Sequence, residues 1–130
     1  MPPSPVFAGV IYDTKDIIQF PVGATAIRYG DICKITSNLL VPAADNDKQL
    51  QFYVALESAL ASATNLINCV ELTKCQLEIA YTGTPTVGDA FGISDARTLD
   101  AADATNYLLR VTKVNTARTT VNAVAYQITA

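Results

Sequence analysis

Apolar and polar side chains alternate along several short stretches of the chain, which is the pattern of strands that are buried on one face only. Pro21 lies inside the first stretch and marks it as an edge strand, because proline cannot donate a backbone hydrogen bond to a neighbouring strand. The alternating stretches are residues 18–22, 50–57, 66–72, 75–82 and 124–129. The pattern predicts an all-β fold of six or more short strands, either a compact β-sandwich or a β-barrel.

Helix is predicted to be a minor component of the fold. The chain contains fifteen threonines, and β-branched side chains fit a pleated sheet better than a helix. Residues 57–68 contain enough Ala and Leu for one or two helical turns, and Asp100 is placed to cap a short helix over residues 100–103. The expected class is mainly β with one or two short helical turns.

The N-terminal segment differs in character from the alternating stretches. Three prolines near its start favour an extended backbone, and no charged residue precedes Asp13. Its apolar side chains have no local partner, so we expect docking on another molecule, with a frayed tail as the alternative. We predict an extended N-terminal arm over residues 1–16 and a single β domain over residues 17–130. The candidate partner-binding residues of the arm are Pro3, Pro5, Val6, Phe7, Val10 and Ile11.

Two parts of the chain resemble each other when the sequence is shifted by 58 residues. The pair Gly30-Asp31 then aligns with Gly88-Asp89, and eight residues are identical over the thirty positions from 30 to 59. A Gly-Asp pair is typical of a turn, because Gly adopts positive φ and Asp bonds to the nearby backbone. The shift indicates two copies of one β unit, about residues 30–72 and 88–130. Chance similarity between Ala-rich stretches is the alternative.

The composition adds a low surface charge to this picture. Charged residues make up 16% of the chain, against a usual value of about 25%, while 50% of the residues are hydrophobic. The net charge is −3 and the basic residues form no run, so nucleic-acid binding is not expected. No stretch is apolar enough to span a membrane, and the proline-rich start lacks the basic region of a secretory signal. We therefore expect a soluble protein made in the cytosol.

Few of the side chains needed for catalysis or metal binding are present. The chain has no His, which removes the commonest general base and the commonest metal ligand. The residues Cys33, Cys69 and Cys75 lack the spacing of a zinc or redox site and are expected to be small buried side chains. The Asp45-Asn46-Asp47 stretch lacks the Gly and the further ligands of a calcium loop. We expect no enzymatic activity, no metal and no cofactor.

The tyrosines leave one binding function open. Tyrosine rings can stack on sugars, so a small glycan-binding β-sandwich is an alternative function. Several of them lie in alternating stretches, where packing at the rim of the core is the simpler role, and the chain has no Trp. The six tyrosines are Tyr12, Tyr29, Tyr53, Tyr81, Tyr107 and Tyr126.

Three short motifs occur in an order that resembles the small capsid decoration proteins of tailed bacteriophages, also called cement or head-stabilising proteins. Residues 29–35 carry Gly-Asp followed by a hydrophobic strand, residues 53–59 contain Val-Ala-Leu-Glu, and residues 86–93 contain Val-Gly-Asp. An uncharged, proline-bearing arm precedes these motifs, and an alternating strand ends the chain. The resemblance covers about residues 17–128.

The resemblance implies a β-rich, non-enzymatic structural protein of the virion. Such proteins commonly form homotrimers, bind the outer surface of the expanded capsid near three-fold or quasi-three-fold positions, and stabilise it against DNA pressure. The implied partners are the phage major capsid protein and further copies of this chain, with assembly in the host cytoplasm. The arm is often what anchors on the capsid. A head fibre, a tail component or another minor virion protein is the nearest alternative.

Overall fold

The computed structural model describes residues 9–44, 51–60, 66–103 and 107–126. These residues form eleven short strands and two single 3-10 turns, at Thr14–Asp16 and Leu72–Lys74. The strands are β1 Val10–Tyr12, β2 Ile18–Pro21, β3 Ile32–Thr36, β4 Leu39–Pro42, β5 Tyr53–Ala55, β6 Leu66–Glu71, β7 Cys75–Thr82, β8 Ala90–Asp95, β9 Thr98–Asp100, β10 Leu109–Asn115 and β11 Thr120–Ala125. The predicted mainly-β class is confirmed.

Strands β2 to β6 form a closed five-stranded barrel, called here the first barrel. Their order is β2-β6-β5-β3-β4, and every neighbouring pair is antiparallel. The barrel closes where Val22 forms a parallel bridge with Leu40, and where the Gly23 amide donates to the Leu40 carbonyl at 3.0 Å. A side chain at Gly23 would begin 3.0 Å from a methyl group of Val41, so glycine allows the two strands to approach.

Alternation along these strands separates an inner from an outer set of side chains. Cys33 lies in the inner cluster, whereas its neighbour Ile32 lies in a second cluster outside the barrel. The rings of Phe20 and Tyr53 meet edge to face with centroids 4.8 Å apart. The buried inner residues are Val22, Ile27, Cys33, Leu40, Tyr53, Ala55, Ile67 and Cys69.

Strands β7 to β11 repeat the arrangement and are called here the second barrel. Their order is β7-β11-β10-β8-β9, again with antiparallel neighbours, and β7 and β9 pair in parallel. The parallel pair joins Tyr81 to Leu99, as the closing bridge of the first barrel joins Val22 to Leu40. Strand by strand, the five strands of one barrel therefore have the pairing of the other.

The predicted Gly-Asp turns occupy the same place in both barrels. Gly30 and Gly88 have φ values of 88° and 93°, a conformation that glycine adopts without steric cost. The Gly30 amide donates to the Ala55 carbonyl and the Gly88 amide to the Val111 carbonyl, both at 2.8 Å. The equivalent bonds confirm the predicted internal repeat at the level of strand pairing.

The bounds of the repeat differ from the prediction. Each unit includes one more strand at its start, so the units span residues 18–71 and 75–125 rather than 30–72 and 88–130. The additional strands, β2 and β7, close the barrels through nonlocal parallel contacts that leave little trace in the sequence. Loops of different length also make the shift between the units vary along the chain.

One apolar cluster joins the two barrels. Ile32, Val54 and Val70 lie outside the first barrel and belong to the same buried cluster as residues of the second, including Leu77 and Leu109. Each such side chain contributes roughly 1.5–3 kcal/mol when it is fully buried. The two barrels are therefore expected to stabilise each other.

Neither helical expectation is met over the described residues, and residues 61–65 of the first expected helix lie outside them. The described residues 57–60 are not helical, and residues 66–68 begin β6, because Ile67 and Cys69 alternate into the first barrel. Asp100 ends β9, and its carboxylate accepts a hydrogen bond from the Ala102 amide at 3.0 Å. That bond forms a turn where a helix cap was expected.

Two strands have different bounds from those predicted. The strand expected over residues 50–57 is limited to the three residues of β5. The last strand, β11, lies at 120–125 rather than 124–129, and residues 127–130 lie outside the described part of the chain.

Candidate functional site

The predicted partner-binding residues fall in two groups. Pro3, Pro5, Val6 and Phe7 lie outside the described residues. Val10 and Ile11 lie on β1, which pairs with the start of β7 in the second barrel. The described end of the predicted arm, from Val10 to Tyr12, is thus paired with a sheet of the β domain.

Strand β1 is held by backbone and side-chain hydrogen bonds. Val10 is opposite Leu77 and Tyr12 is opposite Cys75 in an antiparallel register. The Glu78 amide donates to the Gly9 carbonyl at 2.9 Å, and the Val10 amide donates to the Tyr29 hydroxyl at 3.1 Å. The first bond joins β1 to the second barrel, and the second joins it to the Gly-Asp turn of the first.

The two faces of β1 have different environments, as expected for successive residues of a strand. Val10 is half-buried against the apolar cluster that joins the barrels. Ile11 points the other way and is 69% exposed, although it is a large apolar side chain. Of the two described candidate residues, Ile11 is therefore the one whose side chain is available to a partner.

A second feature is the seam between the barrels, where the β8–β9 hairpin covers the Gly-Asp end of the first barrel. The Arg97 guanidinium contacts the fully buried Asp31 carboxylate with two bonds, from Nε to Oδ1 at 2.7 Å and from Nη2 to Oδ2 at 3.1 Å. The Ile32 amide donates to the Ala96 carbonyl at 2.9 Å. A bridge between Ala44 and Asp95 extends the contact.

The corresponding end of the second barrel is open to solvent and forms a shallow recess of about 330 Å³. The rings of Tyr107 and Tyr126 meet edge to face with centroids 5.2 Å apart. The Arg110 guanidinium lies 5.2 Å from the centroid of the Tyr126 ring, and its Nη1 donates to the Gly88 carbonyl at 3.0 Å. The residues that line the recess are Gly88, Asp89, Ala90, Phe91, Tyr107, Arg110 and Tyr126.

The recess is built on hydrogen-bonded backbone. The Tyr126 amide donates to the Leu108 carbonyl at 2.9 Å, which brings the end of β11 beside the residues that precede β10. The Asp89 carboxylate accepts a hydrogen bond from the Thr86 hydroxyl across the turn. These contacts fix two aromatic rings, a cation and a carboxylate at one surface, a combination suited to binding.

The sequence did not predict this recess. Tyr107 and Tyr126 are each singled out as aromatic residues, but they belong to different segments and meet only through the pairing of β10 with β11. The signal in the sequence that points to this place is the second Gly-Asp pair, Gly88-Asp89, which lines the recess. The equivalent turn of the first barrel, Gly30-Asp31, lies at the seam between the barrels.

The cysteines are unreactive by environment. All three are free; Cys33 and Cys69 are buried, as predicted, and Cys75 is partly buried. Burial raises the pKa of Cys69 to about 11 and that of Cys75 to about 12. Burial, and secondarily the nearby Asp31 carboxylate, raise the pKa of Cys33 well above its ordinary value. Thiols of this kind are poor nucleophiles at neutral pH.

Over residues 9–44, 51–60, 66–103 and 107–126, no group of three or more Cys, Asp or Glu side chains is placed to hold a metal ion. No helix within these ranges has the length and apolar composition needed to cross a bilayer. Comparison with protein-family models, with curated proteins and with solved structures found no match for this chain.

Proposed function

We propose that this chain is a non-enzymatic structural protein of a tailed-phage virion that binds the outer surface of the expanded capsid and stabilises it against DNA pressure. The proposal rests on the pairing and the exposure of strand β1. It joins a sheet by edge pairing and presents Ile11 outward, directly after an uncharged apolar stretch of sequence. The partners proposed are the major capsid protein and further copies of this chain, in a homotrimer.

An apolar side chain on a short strand suits repeated weak attachment. An exposed Ile that becomes fully buried in a contact stabilises that contact by roughly 1.5–3 kcal/mol. One such contact is weak, but linked copies bind a lattice with high avidity because each further contact is intramolecular. A low-charge surface also limits the desolvation cost of close packing between symmetric copies.

The test mixes the purified chain with expanded capsids that lack it. Bound copies are counted by mass and located by image reconstruction, and the temperature of capsid disruption is measured with and without the protein. Binding at three-fold or quasi-three-fold positions with a raised disruption temperature is the expected result. Failure of the wild-type chain to bind expanded capsids of its own phage would refute the proposal.

The contribution of the arm is tested at Ile11. The Ile11→Asp variant is expected to bind capsids at least tenfold more weakly, because a carboxylate replaces the exposed apolar side chain. Its folding should change little, since substitutions at exposed positions usually alter stability by about 0.5 kcal/mol or less. The matched control is Ile11→Val, which keeps a β-branched apolar side chain and should bind as the wild type does. Phe7→Asp is expected to act in the same direction as Ile11→Asp.

Glycan binding is a second candidate function, and the recess of the second barrel favours it. Tyr107 and Tyr126 place two aromatic rings in the recess, and Arg110 and Asp89 provide a donor and an acceptor for sugar hydroxyls. A titration of the purified chain with neutral hexoses, followed by NMR shifts of Tyr107 and Tyr126, tests it. Shifts that saturate, and that are lost in Tyr107→Ala, would support this function over capsid binding.

A further inference from the structure

The internal repeat allows the covered face of the first barrel to be compared with the same face of the second. Ile32 pairs with Val54, and Val54 with Val70. In the second barrel the same ladder runs from Ala90 to Arg110 and from Arg110 to Val124. In the two barrels Ile32 is therefore structurally equivalent to Ala90, Val54 to Arg110 and Val70 to Val124.

Backbone bonds extend the equivalence to the recess. The Leu72 amide donates to the Phe52 carbonyl, just as the Tyr126 amide donates to the Leu108 carbonyl, both at 2.9 Å. Tyr126 therefore occupies the position of Leu72, which is buried in the cluster between the barrels. The recess of the second barrel is thus the counterpart of the face through which the first barrel contacts the second.

The element that covers this face in the first barrel also has a counterpart. The face is covered at its Gly-Asp end by the tip of the β8–β9 hairpin, Ala96 and Arg97. The equivalent hairpin of the first barrel, β3–β4, has Ser37 and Asn38 at its tip, and both residues are exposed. The chain therefore carries an exposed tip at one end and an uncovered face at the other.

We propose that the Ser37–Asn38 hairpin tip of one copy docks on the recess of a second copy, in the way that the β8–β9 hairpin docks on the first barrel within the chain. The Asn38 amide would donate to the Asp89 carboxylate, at the place where Arg97 donates to Asp31. Tyr107, Arg110 and Tyr126 would surround the contact. The association is head to tail, so it forms a closed ring when the rotation between copies closes.

The residues on the face of the first barrel are typical of an internal seam. Those on the equivalent face of the second barrel are typical of an interface between subunits. The first barrel has Val54 where the second has Arg110, and Leu72 where the second has Tyr126. Interfaces between subunits that also exist free in solution are enriched in Tyr and Arg, which tolerate water before assembly and anchor the contact afterwards. Internal seams are always covered and can use aliphatic side chains.

The inference deepens the proposed function, since it names the surface through which copies associate on a capsid, but its test requires no capsid. Sedimentation velocity is measured on the wild type over a range of concentrations. We expect an oligomer, and a dissociation constant raised at least tenfold by either Arg110→Glu or Asn38→Asp. The Asn38→Asp change keeps a residue that tolerates the left-handed turn and places a carboxylate against Asp89.

Two controls distinguish loss of this interface from a general effect of changing the surface charge. Lys113→Glu makes the same charge change as Arg110→Glu at an exposed position on the same strand and should associate as the wild type does. The double variant Asn38→Asp with Asp89→Asn restores a carboxylate and amide pair, so association should recover.

A mixing experiment tests the head-to-tail geometry. Arg110→Glu keeps an intact hairpin and Asn38→Asp keeps an intact recess, so a mixture of the two should form dimers and nothing larger. A wild type that stays monomeric at all concentrations would overturn the inference, as would an oligomer that neither variant weakens. Saturable binding of a neutral hexose in the recess without self-association would also overturn it.

Discussion

Asp31 and Arg97 are 66 residues apart in the chain, yet the Arg97 Nε lies 2.7 Å from Oδ1 of Asp31, and Nη2 lies 3.1 Å from Oδ2. Asp31 is fully buried at the turn that opens β3, while the Arg97 side chain is about half exposed at the tip of the β8–β9 hairpin. The pair joins the first barrel to the second by a charged contact at the rim of their shared apolar cluster.

Removing Arg97 is expected to destabilise the whole chain. In Arg97→Ala the buried Asp31 carboxylate keeps, among the described residues, the bond from the Arg28 amide at 2.9 Å. We expect a loss of about 1–3 kcal/mol in the free energy of unfolding, because a buried charged acceptor loses two donors. Urea denaturation followed by circular dichroism measures the change. Arg97→Lys, which keeps the charge but not the paired donors, should lie between the two, and equal stability of all three would contradict the assignment.

Two equivalent leucines are expected to have similar roles in closing the barrels. Leu40 and Leu99 are fully buried at the parallel contacts, and truncation to Ala should cost about 2–5 kcal/mol at either position. Because one apolar cluster extends across both barrels, each variant should unfold in one transition at a lower temperature. Differential scanning calorimetry checks this. A second transition that keeps the wild-type midpoint would mean that the barrels unfold independently.

Thr119 is expected to be a site where glycine stabilises the protein. Its φ is 54°, in the left-handed region that a β-branched residue adopts at a cost of about 1–2 kcal/mol. Thr119→Gly should therefore raise the thermal midpoint. The matched control is Thr116→Gly in the same turn, where φ is not positive and glycine only adds freedom to the unfolded chain. That variant should be destabilised, and a gain of stability in both would point to a cause other than backbone strain.

The buried thiols predict a loss of stability at alkaline pH. The pKa of Cys69 is raised from 9.0 to about 11 and that of Cys75 from 9.0 to about 12. Between pH 9 and the raised pKa of each residue, the thiol is ionised in the unfolded chain but stays protonated in the folded one. The unfolded state is therefore stabilised relative to the folded state. The contribution is fully present below pH 9 and is lost as pH rises towards 11 and 12, by about 1.4 kcal/mol per pH unit for each thiol.

Urea denaturation at several pH values between 8 and 11 measures this slope. The Cys69→Ala variant should show a shallower slope than the wild type over the same range. At pH 8 the native protein should react slowly with a thiol reagent, and it should release its three thiols on unfolding. Rapid reaction of the native protein would contradict the burial of Cys33 and Cys69.

The strands that the sequence predicted best are those with one face towards a barrel interior. In β7, Leu77 and Ile79 alternate with Gln76 and Glu78, and the strand lies where the alternation places it. Strand β4 was not predicted from alternation, because Leu39, Leu40 and Val41 form a continuous apolar run without a two-residue period. Periodicity reports strands that face both the core and water, and it is silent on short strands without such a division.

The contacts that close the barrels and form the recess could not be predicted, because they join distant segments. The bridge from Val22 to Leu40 depends on the complete pairing of five strands. Tyr107 and Tyr126 meet only when β10 and β11 pair, and the register of β10 contains a bulge between Val111 and Lys113. The pairing of Val10 with β7 was not predicted for the same reason, since the edge of β7 that accepts it is formed elsewhere in the chain.

The parallel contacts that close the barrels also bear on aggregation. An open sheet exposes unpaired amides and carbonyls along its outer strands, and such edges template the growth of disordered assemblies. Here the bridge at Leu40 and the pairing of β7 with β9 join the ends of each five-stranded sheet, so these end strands are paired with each other and do not form open edges. In this chain, in which 16% of the residues are charged, barrel closure therefore protects backbone groups of the two sheets from unwanted pairing.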